Sequence, residues 1–165
     1  MEINPSLLHD YPAALDRAVR LLAERPRSRK EISDRLASAR FDEEVIGLVL
    51  YKLEKENLLN DRDFAAQWVQ SRSRKYGSSR ISRELRMKGI DEDTASEVLE
   101  NLPDDEQLLH ATDFAVKKIR TRRSGEDPQK LKQRVTAAIV RRGYSWSIAL
   151  KAYHCALLQE ETNAD

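Results

Sequence analysis

The chain has 165 residues and carries 29 Lys and Arg against 28 Asp and Glu, a formal net charge of +1. Charged residues make up 35% and aromatics 6%, which suits exposed, salt-bridged helices and argues against a β-sandwich or barrel. A hydrophobic share of 40% is still enough to bury a core, so wholesale disorder is excluded. No apolar run approaches the roughly 20 residues that span a bilayer. The opening MEINPSLLHDYP has neither the charged nor the apolar region of a signal peptide. Cys155 stands alone, which rules out an internal disulfide and fits a reducing cytoplasm. A cytoplasmic protein without membrane association is the expectation.

In chain order, residues 1–12 read as a flexible arm, because Pro5 and Pro12 oppose a continuous helix. From Ala13, the spacing of Ala14, Ala18, Leu21 and Leu22 predicts a helix that ends before Pro26. Ser28 and Glu31 form a capping box opening a second helix around Ile32 and Leu36, which ends near Arg40. Asp42 caps a third with Ile46, Val49, Leu50 and Leu53, and Leu58–Leu59 closes the unit. The order then recurs. Asn60 or Asp61 caps a helix bearing Phe64, Ala65, Trp68 and Val69, the Ile81/Leu85 helix follows, and Asp91 opens one with Ala95, Val98, Leu99 and Leu102. After Pro103 come a helix through Leu108, Ala111, Phe114 and Ala115, a basic loop with Gly125 and Pro128, and a helix with Val135 and Ile139. Ser145 caps the last, through Ala149, Ala152, Tyr153 and Ala156.

The register holds position by position. Ile32, Ile81 and Val135 correspond, then Leu36, Leu85 and Ile139, then Phe41, Ile90 and Tyr144, at intervals of 49 and 54 residues. The expected fold is all-α, with three-helix repeats over 13–59, 60–102 and 103–160 and a short flexible tail over 161–165. A unit of this size buries too little apolar surface alone, so an elongated, curved tandem array is expected. No heptad seam marks a coiled-coil dimer, and a monomer is expected. Gly89 and Gly143 occupy the left-handed position after the second helix in two copies, where the first copy has Arg40.

Charge is unevenly placed. From Ser71 to Ile90 the bases Arg72, Arg74, Lys75, Arg80, Arg83, Arg86 and Lys88 face one acid of that stretch, Glu84. Helical geometry puts Arg83 almost opposite the Ile81/Leu85 stripe and Arg86 well away from it. A second basic group, Lys117, Lys118, Arg120, Arg122 and Arg123, lies in the third copy, beyond an acidic stretch running from Asp91 to Glu106. Local pairing of Arg80 with Glu84 accounts for part of the first cluster, and the remaining cations fit contact with a polyanion or an acidic protein surface. Nothing points to chemistry. There is no Gly-rich phosphate loop, and His154 and Cys155 are sequence neighbours about 100° apart on a helix. Asp91, Glu92 and Asp93 complement a helix dipole rather than ligate. No catalytic residue, cofactor or metal is expected. Phe64 and Trp68 read as core, and Tyr76 as packing at a repeat junction.

The stretch LLNDRDFAAQWVQSRSRKYGSSRISRELRMKGI, from Leu58 to Ile90, together with the threefold helical pattern, resembles the RecX family of bacterial recombination regulators. The similarity runs from about Ala13 to Leu157. Members typically carry a Tyr-Gly-Pro turn before an Arg-Ile pair; here Tyr76 and Gly77 are present and Ser78 stands in place of proline. That loosens the turn and leaves Ser78 or Ser79 to cap the helix. The resemblance implies a non-enzymatic modulator that lodges along the groove of the RecA–DNA filament and inhibits recombinase and ATPase activities in DNA repair and recombination. The two cationic groups are then the candidate contacts to RecA and, more weakly, to DNA. Two other classes fit the residues: a DNA-binding protein independent of RecA, and a helical-repeat adaptor for another protein.

Overall fold

The structure, a computed structural model, describes residues 5–162, which are helical with no strand. The helices are α1 Pro5–Glu24, α2 Arg29–Ser38, α3 Glu43–Lys55, α4 Asp61–Arg72, α5 Ser78–Met87, α6 Glu92–Glu100, α7 Asp104–Arg120, α8 Pro128–Arg141 and α9 Trp146–Thr162. The arm expected over 1–12 is helical from Pro5, and Pro12 sits inside α1. Proline's fixed φ suits a helix, and its cost is one lost backbone bond plus crowding of the preceding turn. Packing of Tyr11 and Leu15 on the core outweighs that cost. Of the tail expected over 161–165, residues 161 and 162 belong to α9, and 163–165, like residues 1–4, lie outside the described residues.

The chain divides into two compact units, one running through Gln67 and including Leu85–Ala95, the other comprising Trp68–Glu84 and everything from Ser96 on. In the first, α1 packs on α2 and α3, and α2 on α3. Ala14 and Ala18 of α1 are fully buried against Ile32 and Leu36 of α2 and Val45, Val49 and Leu53 of α3. In the second, α7 packs most extensively on α9, and α8 closes over both. Ala111 and Ala115 share a buried core with Ala149, Ala152 and Ala156. Leu131, Val135, Ile139, Tyr144 and Tyr153 fill the rest of that core. The division runs through α5, whose Ile81 and Leu85 are both fully buried.

Helix ends follow local chemistry. Ser28 and Glu31 form the expected capping box. Asn60 caps α4 by accepting from the Arg62 and Asp63 N–H groups, Asp91 caps α6 through Thr94, and Ser145 caps α9 through Ile148. Asp42 holds the N-cap position of α3 without a side-chain bond. Arg40 adopts φ +66°, the strained non-glycine counterpart of Gly89 at +81° and Gly143 at +93°. At the end of α5 the Ile90 N–H bonds back to the Leu85 carbonyl, and Ile90 itself is buried.

Candidate functional site

Within the second unit, the turn that joins α4 to α5 is fixed against the turn that joins α8 to α9. Gly77 N–H donates to the Arg142 carbonyl at 3.0 Å, and Ser79 N–H donates to the Gly143 carbonyl at 3.2 Å. A side chain at Gly77 would collide with the Gly143 backbone, and one at Gly143 would come within 2.6 Å of the Arg80 backbone nitrogen. The Ser78 N–H donates to Oε1 of Gln107, a buried glutamine on α7. The first N–H groups of α5 are therefore satisfied by the third repeat, where its own serines were expected to act. Gln107 carried no sequence signal for this role, since its partner lies 29 residues away.

On this frame sits a cluster of cations and rings. Glu84 receives Arg72 through Nε at 2.9 Å and Nη2 at 2.7 Å, Arg80 through Nε at 3.2 Å, and the Trp68 indole N–H at 3.1 Å. The bidentate Arg72 bond comes first among the causes that hold the Glu84 carboxyl below its usual range, and the same contact raises Arg72. Arg72 and Arg80 also lie 4.3 and 3.9 Å from the Tyr76 ring centre. Arg142 reaches the same ring at 6.0 Å and stacks on Phe114 at 3.7 Å, and its Nη1 donates to the Lys75 carbonyl at 3.3 Å. Lys118 approaches Phe114 at 5.4 Å. Tyr76 is thus covered at the junction, as expected, while Trp68 is only half-buried and holds Glu84 by its N–H.

The predicted cations fall into two sets. Arg72 and Arg80 are tied into this cluster by Glu84. Lys88 is paired in the first unit with Glu31 at 2.7 Å. Burial alone would raise Glu31, but hydrogen bonds from Arg25, Lys88 and the Ser28 N–H overcome it and hold the carboxyl at about 2. Glu84 is therefore joined by a second acid, 57 residues from Lys88, that the local count missed. Arg74, Lys75, Arg83 and Arg86 are exposed and have no acid partner among the described residues. Met87, 74% exposed, lies between Arg86 and Lys88. In the third repeat Arg120 is bound by Glu160 at 2.9 Å, whereas Lys117, Arg122 and Arg123 are exposed. Arg142, absent from the sequence-predicted set, is held in place by aromatic stacking. Among the described residues no acid, His or Cys cluster could hold a metal, and none of the helices is long and apolar enough to cross a membrane.

Two family models match the chain: the first three-helix domain of RecX over residues 14–53 and the second over residues 60–99. The chain is 35% identical to a regulatory protein RecX of Mycobacterium ulcerans over 144 residues, 86% of this chain and 83% of that one. To the corresponding protein of Corynebacterium efficiens it is 38% identical over 134 residues, 78% of this chain and 64% of that one. The crystal structure of RecX from Lactobacillus salivarius superposes with a TM-score of 0.84 at 25% identity, covering 92% of this chain and 99% of that one.

Proposed function

The chain belongs to the RecX family of regulatory proteins, and from that premise we propose that it binds the RecA–DNA filament and restrains RecA recombinase and ATPase activity in DNA repair and recombination. The observation that carries this reading is the set of exposed, unpaired cations Arg74, Lys75, Arg83 and Arg86. Cations so close in the chain repel one another, so their presence is poorly explained by stability. The exposed Met87, which follows Arg86 at the end of α5, favours a target that includes protein, because an apolar side chain next to arginine suits a protein interface better than bare phosphate. Seated in the filament groove, the protein occupies the path of a second DNA and links subunits whose relative motion accompanies ATP turnover.

The test is RecA-dependent ATPase and strand exchange titrated with this protein. Wild type is expected to inhibit both. The double variant Arg83→Ala/Arg86→Ala is expected to keep its helicity and melting temperature and to inhibit less. Full inhibition by the folded double variant removes these two residues from the interface, and no effect of wild type on either activity overturns the reading.

A further inference from the structure

The cluster around Tyr76 and Phe114 sets four cations, Arg72, Arg80, Arg142 and Lys118, against one carboxylate, Glu84. Glu84 takes up Arg72 and Arg80, whose side chains thereby become scaffold rather than contact. Arg142 and Lys118 have no acid partner among the described residues, and both lie against one ring, Phe114. The Arg142 guanidinium is also immobilised: stacked on Phe114, bonded to the Lys75 carbonyl, and carried on a turn whose backbone is locked to Gly77. A rigid guanidinium spends one N–H on that carbonyl and keeps the rest of its donor fork for a ligand.

We infer that Arg142 and Lys118 form a phosphate seat for a nucleic-acid backbone, held open by Phe114. This deepens the function proposed above and rests on it for the presence of nucleic acid in the target. A preformed fork beside a second cation fits a phosphodiester, and like charges kept together without an acid are costly unless an anion joins them. Arg72 and Arg80 lie over the Tyr76 ring and Arg142 and Lys118 against Phe114, so the cluster presents cations to a ligand ahead of ring faces. Recognition is therefore through phosphate alone, without base preference.

The experiment measures binding of the full chain to fluorescent oligothymidylate and to a mixed-sequence oligonucleotide of equal length, without RecA, across a salt series. Wild type is expected to bind both equally. Lys118→Gln and Arg142→Gln are each expected to make the slope of log affinity against log salt less negative by about 0.7, the value for one single-strand phosphate contact. Arg142→Lys keeps the charge and is expected to retain the slope while losing affinity through the missing fork. Lys118→Gln breaks no hydrogen bond, so it stands as a test even if Arg142→Gln melts early. Unchanged slopes in both glutamine variants overturn the seat, as does displacement of the oligonucleotide by polyglutamate as readily as by polyphosphate. The readout contains no RecA, so loss of filament inhibition with these slope changes intact would sink the function above and leave the seat standing.

Discussion

Two junctions in this molecule hold the same place in the repeat register and are closed in different ways. In the first unit the start of α2 meets the end of α5: the Ser28 hydroxyl donates to the Lys88 carbonyl at 2.6 Å, and Gly89 lies against Lys30. In the second unit the start of α5 meets the end of α8: Gly77 N–H donates to the Arg142 carbonyl, and Gly143 lies against Arg80. By the repeat register Ser28 corresponds to Gly77, Glu31 to Arg80, Lys88 to Arg142, and Arg27 to Tyr76. An acid–base pair in one junction is thus a base–base pair in the other, with an aromatic ring interposed. The first junction closes by charge. The second is closed by backbone and stacking, and its charge is left over. The same joint can therefore be closed by side chains in one copy and by its main chain in the next, which leaves the second copy's cations without a structural acid.

The largest expected effects come from the apolar stripe of α5, with Ile81 in one unit and Leu85 in the other. Ile81→Ala and Leu85→Ala each remove a fully buried side chain and are expected to cost about 2–5 kcal/mol by urea denaturation. A loss at only one of the two breaks the comparison. Next come the glycines. Gly89→Ala and Gly143→Ala each force a Cβ into the left-handed region at a cost of about 1–2 kcal/mol. Gly143→Ala should lower the melting temperature more, because it meets Arg80 main chain whereas Gly89→Ala meets Lys30 side chain. Equal losses would mean the second junction yields as easily as the first.

Smaller effects concern charge. Glu31 has a folded pKa of about 2 against an ordinary value of 4.5, so it contributes stability above pH 4.5 that is lost as the pH falls toward 2. Glu31→Gln is expected to be less stable than wild type at neutral pH and to converge with it in acid; parallel curves would remove the pair from the first junction's stability. The smallest stability change is expected for Lys118→Glu, which breaks no hydrogen bond and gives the second junction an acid beside Arg142, as Glu31 lies beside Lys88. A surface pair of this kind changes folding by only about 1 kcal/mol or less, while nucleic-acid binding should be abolished. Retained binding in that variant would break the contrast between the two junctions.

Periodicity and capping were readable because they depend on residues three or four apart. Ile32, Ile81 and Val135 are buried as their spacing implied, and the left-handed positions after α2, α5 and α8 are where the register put them. The helical start before Ala13 was not readable, because burial of Tyr11 and Leu15 overrides a local proline penalty. Nor were the partners of the charges. Counting acids nearby in the chain left Lys88 without the partner it has in Glu31, and it paired Arg80 with Glu84 without showing that Arg72 and the Trp68 indole share the same carboxylate. Arg142 was overlooked for the same reason: its standing comes from Phe114 and the Lys75 carbonyl, both far off in sequence. Helix identity and the apolar face are set by short-range sterics and hydrogen bonding, which a linear pattern records. Which cation is neutralised and which remains available depends on groups brought together by folding, since electrostatic and stacking energies act through space and take no account of chain distance.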